Sequence, residues 1–222
     1  RSPFSIVHVA ASSGERTILH YKPEGLAWPR ETTPASVAEA DALLIDAYYA
    51  DLASQAARVA RAAGIPVIAD IVPGPEHAEL LELVDVLIAP GEFPRRAGFG
   101  DDLDAALDAV HAYGPPTAVI TLGAEGWVCS GPEGRTRGEA FPVDVVDTTG
   151  AGDVFHGAFA YGLARGGTTP ECARFAAAVA ALKCAVLGGR SGIPDLSTVA
   201  AFLRSRLPED QWPRFLGGNR RD

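Results

Sequence analysis

The chain of 222 residues has no methionine and only three cysteines, Cys129, Cys172 and Cys184. An odd number of cysteines with no Cys-x-x-Cys argues against a disulfide framework and fits buried thiols in a reducing, cytoplasmic compartment. Lysine is nearly absent: of 19 Lys and Arg residues, only Lys22 and Lys183 are lysines. Neither follows a glycine, so no Gly-Lys-Ser/Thr phosphate loop exists. Positive charge is short overall, with a net charge of -9 and a pI of about 5.0. That balance argues against nucleic acid or an anionic membrane surface as a partner. Any anionic substrate must be held by a local feature, because the overall field opposes it. No apolar run reaches the roughly 18 residues of a membrane span, and no basic-apolar-small leader opens the chain. The five histidines form no His-x-x-x-His pair and no zinc spacing.

What is present is an alternation. FSIVHVA (4–10) and TILHY (17–21) flank SSGER and read as a hairpin. Residues 22–35 are rich in Pro, Gly and charge and read as a crossing loop. Short apolar strands follow at 41–47, 65–71, 85–90 and 116–123. Helical stretches at 51–63, 76–84 and 101–112 separate them. Continuous apolar strands alternating with helices imply a parallel sheet covered on both faces, an α/β sandwich. Residues 126–131 and 134–146 read as antiparallel additions. Three helices close the chain: one following Gly152, one carrying Phe175, Val179, Leu182 and Val186, and one at 196–206. Residues 208–222 read as a loose tail.

The stretch VVDTTGAGDVFHGAFAYGLARG (145–166) carries the chemistry. Gly150, Ala151 and Gly152 stand between a strand and a helix start, where glycine lets main-chain N–H groups turn inward. The first-turn amides of a helix lack internal partners and sit at the positive end of its dipole, so they suit a phosphate-like anion. Asp153 lies beside that pocket. Two readings are open for it: an acid decorating a helix N-terminus, or a base that takes a proton from an incoming hydroxyl while the amides stabilise a transferred phosphoryl group. A dinucleotide-binding fingerprint fails, because its third glycine falls on Phe155.

DTTGAGDVFHGAF resembles the C-terminal signature of the ribokinase-like sugar kinases, the PfkB family. SGERTILHY resembles the family's lid hairpin, TLGAEG its nucleotide-binding strand-turn, and RFAAAVAALKCAVLGGRSGIP its adenine-side helix and loop. Within the family, RFAAAVAALKCAVLGG looks most like ketohexokinases. The resemblance implies a ribokinase-like three-layer α/β/α sandwich with a mostly parallel sheet plus part of a small β lid. Residues 1–25 would be a partial lid, 26–206 the nucleotide-binding and catalytic core, and 207–222 the tail. It implies ATP and Mg²⁺, with a small sugar as acceptor and a homodimer formed through the lid. Asp153 then matches the base, and Gly150, Ala151 and Gly152 match the anion hole. Thr121, Gly123 and Gly126 match the turn against the nucleotide's phosphates and ribose. Ala177 and the segment 186–192, including Gly188, match positions near the adenine. Asp147 and Thr149 match ligands of a K⁺ ion; for Asp147, bracing the turn is the other reading.

This sequence departs from the family pattern in three ways. The family's Asn-x-x-Glu, which places magnesium and phosphates, falls here on Gly91 and Pro94, with Glu92 as a substitute or a helix-capping acid. Ala177 stands where ribokinases carry asparagine. A family member of ordinary length would also carry about 80–90 residues before the position of Arg1, including a Gly-Gly-Asn sugar-binding stretch. A preceding segment is therefore expected. Outside the motif, His156 is expected to pack beside the loop, Asp70 to brace a loop or order magnesium water, and Lys183 to snorkel to solvent. Asp46 and Tyr48 end a strand on the same edge without an assigned role. The readings to separate are a sugar kinase, a nucleoside kinase of the same fold, and a non-catalytic nucleotide- or sugar-binding relative.

Overall fold

A computed structural model describes residues 3–13, 15–24 and 34–216. The chain divides at Thr33/Pro34 into two compact units. The first contains an antiparallel hairpin of β1 (Phe4–Val9) and β2 (Arg16–Tyr21), with Phe4 paired to Tyr21 and Val9 to Arg16. Phe4 and Tyr21 stack at 5.1 Å between ring centroids. Successive residues of β1 point to opposite faces, and all six are exposed. Residues 25–33 of the expected crossing loop lie outside the described residues.

The second unit is built on a six-stranded sheet. Its strands are β3 (Leu43–Asp46), β4 (Val67–Asp70), β5 (Val86–Pro90), β6 (Thr117–Thr121), β7 (Trp127–Gly131) and β8 (Gly134–Gly138), in that spatial order. The first four are parallel; β7 and β8 add on antiparallel. The expected second addition is shorter than 134–146, and residues 139–146 have no regular structure.

Among the described residues, eight α-helices accompany the strands: α1 (Pro34–Ala38), α2 (Ala50–Ala62), α3 (Ala78–Leu81), α4 (Phe93–Arg96), α5 (Leu103–Ala112), α6 (Ala151–Ala164), α7 (Thr169–Cys184) and α8 (Leu196–Arg206). Their ends follow local chemistry. After α2, Gly64 takes φ +73°. Its amide binds the Arg61 carbonyl and the Ile65 amide binds the Ala60 carbonyl, the paired bonds of a glycine C-cap. Asp102 and Asp195 accept the Ala105 and Thr198 amides and start α5 and α8. A reciprocal capping box between Thr168 and Glu171 starts α7.

Alternation along the strands divides the core into two layers. Ile68, Val86, Ile88 and Val119 face the aromatic layer of α6 and α7 with Phe155, Phe159 and Phe175, and with Val199 and Leu203 of α8. The intervening Val67, Ala69, Leu87, Ala89 and Ile120 are fully buried on the opposite face. This is the expected α/β/α sandwich.

Two expectations change. The stretch from 207 to 216 is not loose. Arg214 pairs with Glu171 at 2.8 Å, and Phe215 packs edge-on against Phe175 at 5.3 Å. Residues 217–222 lie outside the described residues. Lys183 does not snorkel, being fully buried.

Candidate active site

The carboxyl ends of the parallel strands form one edge. Asp46 is in register with Asp70, and Pro90 with Thr121. Open α/β sheets bind ligands at this edge, because the turns leaving the strands converge there.

The N-terminus of α6 reaches the same edge through His156, one turn into the helix and buried. Its Nδ1 donates to the Gly152 carbonyl at 2.6 Å. Its Nε2 lies 3.3 Å from the Ile88 carbonyl and 3.4 Å from Asp70 Oδ1. The imidazole thus links the first turn of α6 to β4 and β5, as expected of a side chain packed beside the loop. Burial raises the Asp70 pKa; His156 pulls it down, while the negative charges of Asp153 and Asp46 push it up. Three carboxylates and a histidine therefore share this corner.

The helix starts at Ala151 rather than after Gly152, with Gly150 at the cap in the left-handed region, φ +74°. A Cβ on Gly150 would approach the Gly189 carbonyl to 3.0 Å, so glycine is demanded twice. Gly152 differs: a Cβ there would meet nothing within 4 Å. The protein's own packing leaves that space open. The Ala151 amide binds the Thr148 carbonyl at 3.1 Å and the Val154 amide binds that of Gly150. The amides of Gly150, Gly152 and Asp153 bind no backbone carbonyl among the described residues. Of the trio expected from the sequence, the Ala151 amide is engaged within the turn, while those of Gly150 and Gly152 have no backbone partner among the described residues.

Asp153 is exposed at the third helical position. It opens, with Thr149 and Gly150, onto a cavity of about 670 Å³ whose other walls include Tyr161, Arg190 and Ile193.

The approach to α6 is braced from α7. Asp147 Oδ1 accepts the Thr149 amide at 2.9 Å and Oδ2 the Gly188 amide at 2.8 Å. The Thr149 amide and hydroxyl, then the Gly188 amide, hold its carboxyl at about 2, with burial opposing and Lys183 assisting. Lys183 Nζ donates to the Asp147 carbonyl at 2.8 Å. These bonds tie Asp147, Thr149, Lys183 and Gly188 together. Sequence reasoning noted Lys183 as a single lysine amid apolar helix positions but sent it to solvent rather than to this carbonyl.

The other assigned residues lie further along the edge. Thr121 ends β6, and its hydroxyl donates to the Ala89 carbonyl at 3.5 Å. Gly123 opens a single 3₁₀ turn, Gly123–Glu125, which Gly126 closes at φ +92°. A Cβ on Gly126 would lie 2.0 Å from the Gly138 carbonyl, so only glycine passes there. Ala177 lies half-buried on α7, off the cavity that Phe175 and Val179 of that helix line. A Cβ on Gly91 would lie 2.7 Å from the Thr121 carbonyl, so this backbone does not accommodate the asparagine of the family pattern. Pro94 is buried in α4. Glu92 stands at the N-cap of α4 without capping an amide, and its carboxylate lies 3.9 Å from Arg96. Among the described residues, no cluster of three or more His, Cys, Asp or Glu is arranged to hold a metal ion. No helix among them is long and apolar enough to cross a membrane.

Known proteins give this geometry a context. The pattern of the pfkB family carbohydrate kinases matches residues 1–196. The chain is 34% identical over 160 residues to the ribokinase of Arabidopsis thaliana, covering 68% of this chain and 42% of that protein. Against the ribokinase of Haemophilus influenzae it is 34% identical over 156 residues, covering 67% and 50%. The chain thus spans about half the length of these curated relatives. Among solved structures, the Arabidopsis thaliana ribokinase complexed with ribose and ATP superposes with a TM-score of 0.77 at 28% identity, covering 90% of this chain and 68% of that one. Ribokinase from Thermotoga maritima gives 0.76 at 26%, covering 91% and 70%. The sandwich, the Gly-Ala-Gly-Asp turn at the mouth of α6 and the match along residues 1–196 agree: the chain belongs to the pfkB family of carbohydrate kinases.

Proposed function

We propose that this chain carries the nucleotide and phosphoryl-transfer half of an ATP-dependent kinase acting on a hydroxyl of a small sugar or sugar derivative. The observation that carries the reading is the mouth of α6, where the amides of Gly150, Gly152 and Asp153 bind no backbone carbonyl among the described residues and the Asp153 carboxylate is exposed. Asp153 takes the proton of the acceptor hydroxyl. The acceptor oxygen forms a bond to the γ-phosphorus, and the bond from that phosphorus to the β–γ bridging oxygen breaks. ADP leaves with the electron pair, and the phosphorylated sugar forms. The amides of Gly150, Gly152 and Asp153 face the charge on the transferred group, where fixed dipoles lower the barrier because they need no reorganisation. Thr121, Gly123 and Gly126 line the path of the nucleotide's phosphates, with Ala177 and Gly188 toward the adenine.

Mg²⁺ bound with the nucleotide would neutralise phosphate charge. The described residues include no preformed metal cluster, so the ion would come with ATP and meet single carboxylates such as Asp70 at the edge. K⁺, the possible further cation, would be held by Asp147 and Thr149. The ionised Asp147 carboxylate suits it, although both oxygens already brace amides. The hairpin, with apolar side chains exposed on both faces, is the proposed surface for a second subunit. The acidic charge and three buried thiols fit the cytoplasm.

The test uses the full-length protein and a panel of pentoses, hexoses, sugar phosphates and nucleosides. Asp153→Asn is expected to lower kcat by roughly 100- to 10,000-fold while leaving the fold and ATP affinity intact. Retention of most activity removes the base assignment. Turnover of nucleosides alone favours a nucleoside kinase, and ATP binding without any turnover favours a non-catalytic relative.

A further inference from the structure

Lys183 is a cation enclosed by protein. Moving an ammonium from water into an interior is unfavourable unless polar partners replace its hydration. Its stem is long enough to reach solvent from most helix positions, yet the residue is fully buried. Its Nζ donates at 2.8 Å to the main-chain carbonyl of Asp147, three residues before the cap of α6. The neighbouring contacts run to the same place. The Val146 and Asp147 amides donate to the Cys184 carbonyl at 2.8 and 3.1 Å. The Gly188 amide donates to Asp147 Oδ2. A Cβ on Gly192 would approach the Lys183 carbonyl to 2.6 Å, so the loop leaving α7 lies hard against this lysine. The last carbonyls of a helix lack intrahelical partners and lie at the negative end of its dipole, which suits incoming amides and a cation alike.

We propose that Lys183 is a positioning residue. Its buried ammonium fixes the Asp147 carbonyl and, through it, the 146–150 approach to α6. The amides of Gly150, Gly152 and Asp153 are then held in place before a nucleotide arrives. What those amides bind rests on the kinase reading above; the clamp itself does not. A side chain that merely fills space would be replaced without loss by methionine, which has a similar length and carries no charge to bury. A clamp would not.

The experiment compares the full-length wild type with Lys183→Met by hydrogen–deuterium exchange, ADP calorimetry and steady-state kinetics. In the variant, the hydrogen-bonded amides of Val146, Asp147, Thr149 and Ala151 are expected to exchange at least about tenfold faster while those of β5 stay within about twofold. Because small displacements at a reacting centre are costly, kcat is expected to fall roughly 10- to 100-fold with the KM for the acceptor changed less than about threefold. Unchanged exchange at these amides, or equal acceleration along the whole chain, overturns the proposal. If the wild type phosphorylates no acceptor, the kinase reading fails while the exchange comparison still decides the clamp. If Lys183→Met does not fold, ¹⁵N NMR of the wild type decides. An enclosed ammonium bonded to a carbonyl gives a slowly exchanging Lys183 Nζ resonance, and its absence overturns the proposal.

Discussion

Asp147 Oδ2 accepts the Gly188 amide at 2.8 Å, joining the approach to α6 with the loop that leaves α7. The bond has a pH signature. The Thr149 amide and hydroxyl, with the Gly188 amide, hold the carboxyl at about 2 against an ordinary value of 3.8. The folded chain therefore binds this proton less readily than the unfolded chain. Its stabilising contribution is complete above about pH 4 and is lost as pH falls through about 2. Calorimetric Tm values of the wild type and Asp147→Asn should differ at pH 6 and converge toward pH 2. A difference independent of pH would assign the effect to something other than this carboxylate.

Gly152→Ala separates folding from chemistry. A Cβ there meets no protein atom within 4 Å, and alanine is the better helix former. Stability should hold or rise by about 0.4–1 kcal/mol. On the proposed kinase reading, the methyl group would nonetheless stand where the phosphoryl group approaches the amides. Urea denaturation unchanged or improved, with kcat/KM for ATP reduced at least about tenfold, is the expected pair of results.

Gly126→Ala should do the reverse. Its Cβ would lie 2.0 Å from the Gly138 carbonyl, and φ is +92°. Neither can be relieved without moving the β7–β8 hairpin. A loss of more than about 2 kcal/mol in denaturant unfolding is expected; a loss below about 0.5 kcal/mol would show that this turn yields.

Glu171→Gln tests the anchoring of the segment after α8. Glu171 caps α7 through the Thr168 amide and hydroxyl and also receives the Arg214 amide and guanidinium. Burial works against its charge, but the Arg214 and Thr168 donors outweigh it and hold the carboxyl at about 2. The substitution should cost about 1–2 kcal/mol and make residues 207–216 the earliest site of limited proteolysis. Proteolysis starting elsewhere would dismiss the anchor.

The strand and helix alternation and the Gly-Ala-Gly-Asp turn were legible in the residue order. Each depends on side-chain period, backbone freedom or hydrogen bonds between residues a few positions apart. The family resemblance rested on the same stretch, in which Asp147 and Asp153 bracket a run of small residues as in the pfkB signature.

Other features needed the folded chain. Lys183 meets the Asp147 carbonyl across 36 residues of sequence, and Glu171 meets Arg214 across 43. No local pattern says whether a lone lysine finds a carbonyl or reaches water, or whether a polar end segment finds a carboxylate. The same holds for Gly91, whose crowding comes from the neighbouring β6. Sequence by itself determined the elements and the residues gathered at the mouth of α6, because those are short-range preferences of the backbone. Tertiary structure alone decided which amides of the described residues bind no backbone carbonyl and which charge is enclosed. Both depend on packing between segments distant in the chain.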